Sequence, residues 1–498
     1  MRYDPESPTR GTSWSVLRAA ASWGVAVCVL GRRSRGSDPR AGRGGDLVTD
    51  RGGAGPLEGP TAASSGLSDE RGSRWSRYVR ALGPGLVTGA SDDDPSGVAT
   101  YAQAGARFGF AMLWASLVTF PLMAAVQEIC DRTALATGQS LGELIARRFT
   151  HRWRVAIAAL ITILCVANAL NIAADLVAIG EGMHLLHAGP TTLWAVIAGA
   201  AIVVLLVKFS YIAIARVFRL LCLALLSYVG VLFAAHLDWA TVLVRTIIPH
   251  VELTKAYLTL LIAVLGTTIS PYLFFWQTTN RVDEMREEDI GGTRAVPLRW
   301  RQRSAAQSKL RLSRFDVFFG MGFSNLVMFA IIASTAATLG AHGSVDITSA
   351  AEAAGALRPV AGRLASTLFA LGFIGSGMLA VPVLAGAGAS GISGLLGRPT
   401  GFANSIREAP VFYGLVIAGT VAGTAFSAAG IDPIELLVLV AVINGVAAAP
   451  FLLIVMMVSR SRAIMGDQTN RWLSNLLGWM TFAVMAGAAI ALGVTSRT

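Results

Sequence analysis

Runs of about 20 consecutive apolar residues recur along this chain, and each is long enough to cross a hydrocarbon core of roughly 30 Å as a helix. Within these runs apolar residues do not alternate with polar ones, which favours helices over a membrane β-barrel. Of the 498 residues, 54% are hydrophobic and only 14% are Asp, Glu, Lys or Arg. Water-soluble globular proteins carry more charge than this. The sequence therefore predicts an all-α, polytopic membrane protein.

Eleven apolar segments follow one another from Leu82 onward. We place them at 82–106, 109–130, 154–182, 191–207, 211–235, 256–279, 316–340, 360–386, 409–428, 433–458 and 472–494. Together they predict a membrane domain over residues 76–498. Residues 1–75 are instead rich in Gly, Arg, Ser, Asp and Pro, a composition that cannot bury a core, so we predict a disordered basic tail there. This tail is either dispensable or the product of translation that begins too far upstream.

Basic residues are distributed unevenly among the loops between these segments. Loop 131–154 contains five Arg and loop 280–315 contains nine Arg or Lys, whereas loops 183–190 and 429–432 contain none. By the positive-inside rule this asymmetry predicts a cytoplasmic N-terminus, and an odd number of spans then places the C-terminus outside. The compact loops and the Arg-rich, Ala/Gly-rich usage favour a bacterial inner (plasma) membrane. The net charge of +11 comes from the basic loops that orient the chain in the membrane, so nucleic-acid binding is not expected.

One short stretch places charge where a membrane helix should be apolar. GASDDDPSGVAT, residues 89–100, contains Asp92, Asp93 and Asp94 followed by Pro95. In a soluble protein such a run is usually a solvated loop, but in mid-span an ionised carboxylate costs several kcal/mol unless a cavity or a cation compensates. Pro95 removes a backbone donor and Gly97 tolerates non-helical dihedrals, so the helix should break here. A broken helix with carboxylates at the break predicts a cation site.

A second interrupted segment occurs at a corresponding position. LGTTISPYLFFWQTTN, residues 265–280, lies in the sixth apolar segment and contains Pro271 after a run of small polar residues. Transporters built from inverted repeats carry such paired broken helices, whose breaks meet at the membrane midplane. Segments one and six would be equivalent in two five-helix repeats, leaving the eleventh as an addition. The alternative is two unrelated proline kinks, which are common in membrane helices.

At these residues the chain resembles the natural resistance-associated macrophage protein (Nramp) family of divalent-metal transporters. GPGLVTGASDDDPSGVATYAQAGARFGFAMLW is similar to the family's first helix with its Asp-Pro-Gly-Asn motif, and DRTALATGQSLGEL is similar to its second helix and following loop. The similarity runs from about Arg80 to the C-terminus. It implies a leucine-transporter-like fold with two inverted five-helix repeats, at about 80–236 and 255–458, and an extra helix at about 472–494.

The resemblance implies a metal site at the first break. Asp94 falls on the family's metal-binding aspartate, but Gly97 stands where the family has a metal-binding asparagine. Thr267 falls where a backbone carbonyl contributes to the site, and Ser270 replaces the family's methionine, so the thioether ligand is absent. Oxygen ligands and retained waters suit Mg²⁺ and Mn²⁺, so selectivity should be relaxed toward hard ions. A divergent branch of the family that resembles this pattern is associated with Mg²⁺.

The proton route implied by the resemblance is depleted in this sequence. Tyr272 and Gln277 stand where the family has histidines in the sixth helix. In the third helix Asp175 falls at a position linked in the family to proton movement, but Asn168 and Ala178 stand where acids are usual. We assign Asp175, Gln277 and Tyr272 to the vestibule or to what is left of the proton route. The depletion argues against proton coupling.

Three further polar residues each have two possible roles. Asp93 is extra relative to the family's motif, and it either adds a second charge to the metal site or attracts cations into an aqueous vestibule. Asn325 falls near a helix-seven asparagine of the family, and Asn444 is a lone amide in the tenth segment. Each amide either supports the site or makes a hydrogen bond between helices.

The leading function is secondary transport of a divalent cation, Mn²⁺ or Mg²⁺ with Fe²⁺ as a further candidate, by alternating access. The alternative is a cation-coupled symporter of a small organic solute such as an amino acid, although clustered acids argue against an anionic substrate. The sequence has no H-E-x-x-H motif, and its histidines lie in loops or at the ends of the apolar segments, so an enzyme is not expected. No cofactor is expected, because the metal is substrate. The expected partners are the metal ion and the lipid bilayer, and the expected state is a monomer.

Overall fold

The computed structural model describes residues 82–495 apart from 235–236, 289, 291–293, 341–349 and 428–432. Every regular element in this described part of the chain is a helix. The predicted tail, residues 1–75, lies outside the described residues.

The helices follow the apolar segments closely. Those of the first half are α1 (Pro84–Asp92), α2 (Pro95–Phe108), α3 (Leu113–Thr137), α4 (Leu141–Arg148), α5 (His151–Leu185), α6 (Thr191–Lys208), α7 (Tyr211–Leu221) and α8 (Leu226–Ala234). Those of the second half are α9 (Trp239–Ile247), α10 (Lys255–Thr268), α11 (Pro271–Arg286), α12 (Arg303–Thr338), α13 (Ala350–Leu395), α14 (Pro410–Ser427), α15 (Pro433–Ser459), α16 (Arg462–Met465) and α17 (Trp472–Thr495).

Ten stretches of the described residues are long and apolar enough to cross a membrane. The first, Pro95–Thr137, has 43 residues and contains both α2 and α3. At 1.5 Å per residue it would be about 65 Å long as a single helix, roughly twice a hydrocarbon core. A 3₁₀ turn at Gly109–Met112 separates α2 from α3, and Gly109 adopts a φ of 55° that favours glycine. Because α2 and α3 are separate helices within one stretch, the ten stretches correspond to the eleven predicted apolar segments.

The two broken helices, α1–α2 and α10–α11, pack against other helices through glycines. Gly85 and Gly89 of α1 lie against Gly320 of α12 so closely that a Cβ on any of them would overlap the opposite backbone. In the second half, Gly266 of α10 lies in the same way against Gly445 of α15. Such small residues allow close approach between membrane helices. The first half of each broken helix is thereby held against one long helix.

The distribution of polarity differs from that in a soluble protein, because large apolar side chains are exposed and several charged side chains are buried. Large apolar side chains are exposed on the outer helices, among them Ile163 on α5, Val204 on α6 and Leu220 on α7. Charged side chains are buried in the interior, including the three consecutive aspartates, Asp92, Asp93 and Asp94. The outer surface thus suits lipid, and the interior contains the polar groups that need a function or a partner.

Candidate metal centre

The first broken helix changes direction at the three aspartates. α1 ends at Asp92, Asp93 has the non-helical dihedrals φ −89° and ψ 48°, and α2 begins at Pro95. Asp94, extended at φ −65° and ψ 168°, is the N-cap of α2. Proline suits the first position of a helix because an N–H there would have no intrahelical partner. The chain turns at Asp93 and Asp94 and leaves all three carboxylates buried.

Hydrogen bonds from α2 and from the neighbouring helix α5 orient the side chain of Asp94. The backbone N–H of Gly97 and the hydroxyl of Ser96 donate to its Oδ1 at 2.7 and 2.6 Å. The side-chain amide of Asn171 in α5 donates to its Oδ2 at 2.8 Å. An ionised carboxylate has about four acceptor positions. Asp94 therefore keeps one position, on Oδ2, for a further ligand.

The second broken helix is interrupted at Ile269 and Ser270. Ile269 has φ −114° and ψ 54°, and Ser270 is the extended residue before Pro271. The hydroxyl of Ser270 donates back to the carbonyls of Gly266 and Thr267, each at 2.8 Å. The Thr267 carbonyl thus accepts one hydrogen bond and keeps its second lone pair. The Ser270 hydroxyl is therefore directed to backbone carbonyls in the last turn of α10.

Two tyrosines join the broken helices across their interruptions. The hydroxyl of Tyr101 in α2 lies 3.1 Å from the hydroxyl of Thr268 at the end of α10. The hydroxyl of Tyr272 in α11 donates to the carbonyl of Ser91 in the last turn of α1, at 3.2 Å. Thus α2, which follows the first break, contacts the end of α10, and α11, which follows the second break, contacts the end of α1. The two breaks face each other at one place in the fold.

Gly97 marks the closest approach between the breaks. A Cβ at this position would lie 3.1 Å from the carbonyl oxygen of Asp92 and 3.2 Å from Oγ1 of Thr267. The hydroxyls of Ser96 and Thr267 are 3.5 Å apart. A larger side chain at residue 97 would have to displace these groups.

Several buried oxygens at and near the breaks have no hydrogen-bond partner among the described residues. They include Oδ1 of Asp92, both carboxylate oxygens of Asp93 and of Asp175, and the amide oxygens of Asn171 and Asn444. Each of these side chains is at most 1% exposed. A buried charge without a partner is costly unless a cation or a proton compensates it. Within the described ranges, however, no three His, Cys, Asp or Glu side chains are grouped so as to hold a metal by themselves.

Some residues of this region are not among those the sequence predicted. Asn171 reaches Asp94, and Ser324 of α12 donates to Oδ2 of Asp92 at 3.2 Å. Asn171 precedes Asp175 by four residues on α5, so both lie on one helix face. That spacing was the available signal for Asn171. Ser324 gave no comparable signal, because a lone serine in an apolar helix is common.

A network of buried charges lies at the far ends of the same helices. Arg281 of α11 is 1% exposed and pairs with Asp131 of α3, Glu284 of α11 and Asp316 of α12. Asp316 also accepts backbone N–H groups at the start of α1, including that of Gly85 at 2.8 Å. The network therefore ties α1, α3, α11 and α12 together at one end.

A family model described as "Natural resistance-associated macrophage protein-like" matches residues 85–495 of the chain. The chain belongs to the Nramp family. The match includes both broken helices and ends within α17.

Similar proteins have names that agree with this membership. The chain is 26% identical over 406 residues to "Divalent metal cation transporter MntH" of Mycobacterium leprae, covering 80% of this chain and 88% of that protein. A crystal structure of the Eremococcus coleocola manganese transporter matches with a TM-score of 0.65 at 18% identity, covering 85% of this chain and 90% of that one. Mhp1, a nucleobase-cation-symport-1 family transporter, matches with a TM-score of 0.50 at 14% identity, covering 83% and 93%.

These matches confirm the predicted fold class. The protein is an all-α, multi-pass membrane protein with a leucine-transporter-like fold of two inverted five-helix repeats and an extra helix. At these identities the structural neighbours establish the fold alone.

The remaining predicted residues of this Nramp-family chain lie in different surroundings. Gln277 donates to Asp131 at 2.7 Å and accepts from Thr88, so it belongs to the buried charge network. Asn325 donates to the carbonyl of Ser116 at 2.8 Å, which joins α12 to α3. Asn444 is buried in α15 beside the glycine that contacts α10. Tyr272 and Asp175 lie close to the breaks.

Proposed function

We propose that this Nramp-family protein carries divalent metal cations, Mn²⁺ or Mg²⁺, across the membrane by alternating access and binds them between the two helix breaks. The observation that carries the proposal is the position of Asp94, a buried carboxylate with a free acceptor position beside the second break. The relatives named as divalent metal cation and manganese transporters support the same class of substrate.

The proposed ligand set is made of oxygen atoms. Asp94 supplies the charge, the Thr267 carbonyl supplies a neutral oxygen, and Asp93 supplies a second carboxylate whose two oxygens are unpartnered among the described residues. Gly97 supplies no side-chain ligand, and the Asp92 carbonyl and the Thr267 hydroxyl lie close to the position where a side chain would begin. The Ser270 hydroxyl donates its proton to backbone carbonyls, and its oxygen keeps lone pairs that can face an ion directly or through water. Such a site favours hard ions that keep part of their hydration shell.

We further propose that transport is not coupled to protons. Asn168 and Ala178 of α5 stand where the family usually has acids, and Gln277, which stands at a histidine position of the family, is bound into the charge network by hydrogen bonds. We also propose that the protein is a monomer. From the distribution of basic loops, we propose a cytoplasmic N-terminus and an external C-terminus. In this orientation the charge network faces the cytoplasm.

Uptake into proteoliposomes tests the proposal. The purified protein is presented with Mn²⁺ and Mg²⁺ separately, with a metal-sensitive dye or a pH dye inside the vesicles. Asp94→Asn keeps the shape of the side chain and removes its charge, and Asp467→Asn in an exposed turn is the matched control. We expect at least tenfold slower entry in Asp94→Asn, unchanged entry in the control and a silent pH dye. Entry that is indifferent to Asp94 would refute the metal site, and uptake of an organic solute would then be measured.

A further inference from the structure

A cavity of about 420 Å³ lies at the end of the helix bundle where α3 and α15 both terminate. Its wall is formed by the connection after α3, by α4, by the turn that contains residue 299 and by the segment that follows α15. The polar residues of the wall are Thr137, Gln139, Arg147, Arg148, Arg299 and Ser461. We call it the arginine cavity.

The three arginines of this cavity lack the carboxylate partners that neighbouring arginines have. Arg281, Arg301 and Arg314 are each paired with at least one carboxylate. Arg147, by contrast, donates to Oε1 of Gln139 at 2.7 Å, and neither it nor the other two cavity arginines forms an ion pair within the described ranges. Three exposed arginines thus line one concavity, and no Asp or Glu is among the residues that line it.

The position of the cavity is that of a membrane–water boundary. α3 and α15 are both membrane-spanning, so their common end marks where the hydrocarbon region stops. Trp300 is 70% exposed next to the cavity, and the guanidinium of Arg299 lies 5.1 Å from its ring centre. Exposed tryptophan is typical of the headgroup level. The apolar side chains of Leu144 and Ile464 complete the wall.

We propose that the arginine cavity binds the phosphate group of an anionic lipid headgroup, such as that of phosphatidylglycerol. Guanidinium groups present paired donors that match phosphate oxygens, and basic pockets between membrane helices accept anionic headgroups. The apolar wall and the exposed tryptophan favour a lipid over free phosphate, because they would contact the glycerol and upper acyl carbons. A zwitterionic headgroup would bring its own ammonium and leave the arginine charge uncompensated. The inference does not depend on which ion is transported.

Lipid retention by the full-length protein tests this assignment. The protein, purified in detergent, is titrated with phosphatidylglycerol or with phosphatidylcholine of the same chain length, and bound lipids are counted by native mass spectrometry. The test variant is the triple substitution R147Q/R148Q/R299Q. The matched control is R216Q/R398Q/R407Q, which removes the same charge from exposed arginines that do not line the cavity. We expect at least tenfold weaker binding of phosphatidylglycerol in the first triple and less than a twofold change in the control.

Three results would overturn the proposal. Equal loss in both triples would mean that binding follows net charge rather than the cavity. Equal retention of phosphatidylcholine and phosphatidylglycerol by the unmodified protein would exclude an anionic site. Binding of inorganic phosphate in the absence of lipid, at the same affinity and with the same dependence on the three arginines, would assign the cavity to a soluble anion. If the triple variant aggregates, Arg148→Gln alone is measured, with a threefold loss expected.

Discussion

Asp316 links the start of α1 to the buried guanidinium of Arg281, so its replacement by asparagine should loosen α1. Oδ1 of Asp316 accepts the N–H groups of Gly83 and Leu86 at 2.8 and 3.0 Å. Oδ2 accepts the N–H of Gly85 at 2.8 Å and the guanidinium of Arg281 at 2.9 Å. Each carboxylate oxygen therefore serves two donors.

The magnitude follows from this geometry. Asparagine has one acceptor oxygen, and its amide nitrogen would face two of the four donors in either orientation. Hydrogen bonds to a charged group contribute about 1.5–3 kcal/mol each. If the asparagine oxygen keeps the donors of Gly83 and Leu86, the lost bonds are those from Gly85 and Arg281, and only the Gly85 bond joins α1 to α12. The docking of α1 therefore loses at least about 1.5 kcal/mol. The loss applies only while α1 is docked against α12. At 1.36 kcal/mol per factor of ten, undocking of α1 should become more frequent by at least about tenfold.

Accessibility of a cysteine in α1 measures this change. Ser91→Cys places a thiol at a position that is 0% exposed, in a background from which the four native cysteines have been removed. We expect Asp316→Asn to raise the rate of maleimide labelling at least about tenfold. Asp467→Asn should leave the rate unchanged. A labelling rate within threefold of the parent would show that the Asp316 contacts do not hold α1 and would refute the reasoning.

Three other substitutions address the breaks themselves. Ser270→Met introduces a soft thioether, and we expect preference for Cd²⁺ over Mg²⁺ in competitive uptake to rise about tenfold; an unchanged ratio would place residue 270 outside the ion's reach. Tyr272→Phe removes one neutral hydrogen bond of about 1 kcal/mol, so Mn²⁺ uptake should fall about fivefold, with Tyr211→Phe as a control that does not touch the breaks. Asp175→Asn removes a buried carboxylate that has no partner among the described residues, so the melting temperature should not fall; uptake should slow at least fivefold because the vestibule loses a group that attracts cations, and a lower melting temperature would reveal a structural role.

The helix breaks could be predicted from the sequence because their causes are local. Pro95 and Pro271 each stand at the first position of a new helix, where proline is tolerated, and polar or small residues precede both. The apolar segments could be predicted for the same reason, because a run long enough to span the membrane is recognised without knowing which helices pack against it. The pairing of the breaks followed from their spacing along the chain.

The partners of the polar side chains could not be predicted in the same way. Gln277 and Asp131 are 146 residues apart, and their contact depends on how α11 packs on α3. The sequence assigned Gln277 to the vestibule or to what is left of the proton route, and it gave no indication of the hydrogen bonds to Asp131 and Thr88. Asn325 had two possible roles, and its bond to the Ser116 carbonyl is the interhelical one. Long-range packing decides such contacts, and no local pattern encodes it.

The proposed site offers few protein ligands to an ion, and this bears on selectivity. Asp94 keeps one acceptor position and the Thr267 carbonyl keeps one lone pair. With a further oxygen from the proposed ligand Asp93, an octahedral ion with about six ligands would still retain several waters. Mg²⁺ dehydrates reluctantly and tolerates this well, and Mn²⁺ gains little from a site without nitrogen or sulfur. We therefore expect Mg²⁺ and Mn²⁺ to compete for uptake within about tenfold of each other, or about 1.4 kcal/mol. A preference for Mn²⁺ of a hundredfold or more would require a softer ligand than these breaks contain, and would contradict the oxygen-only site.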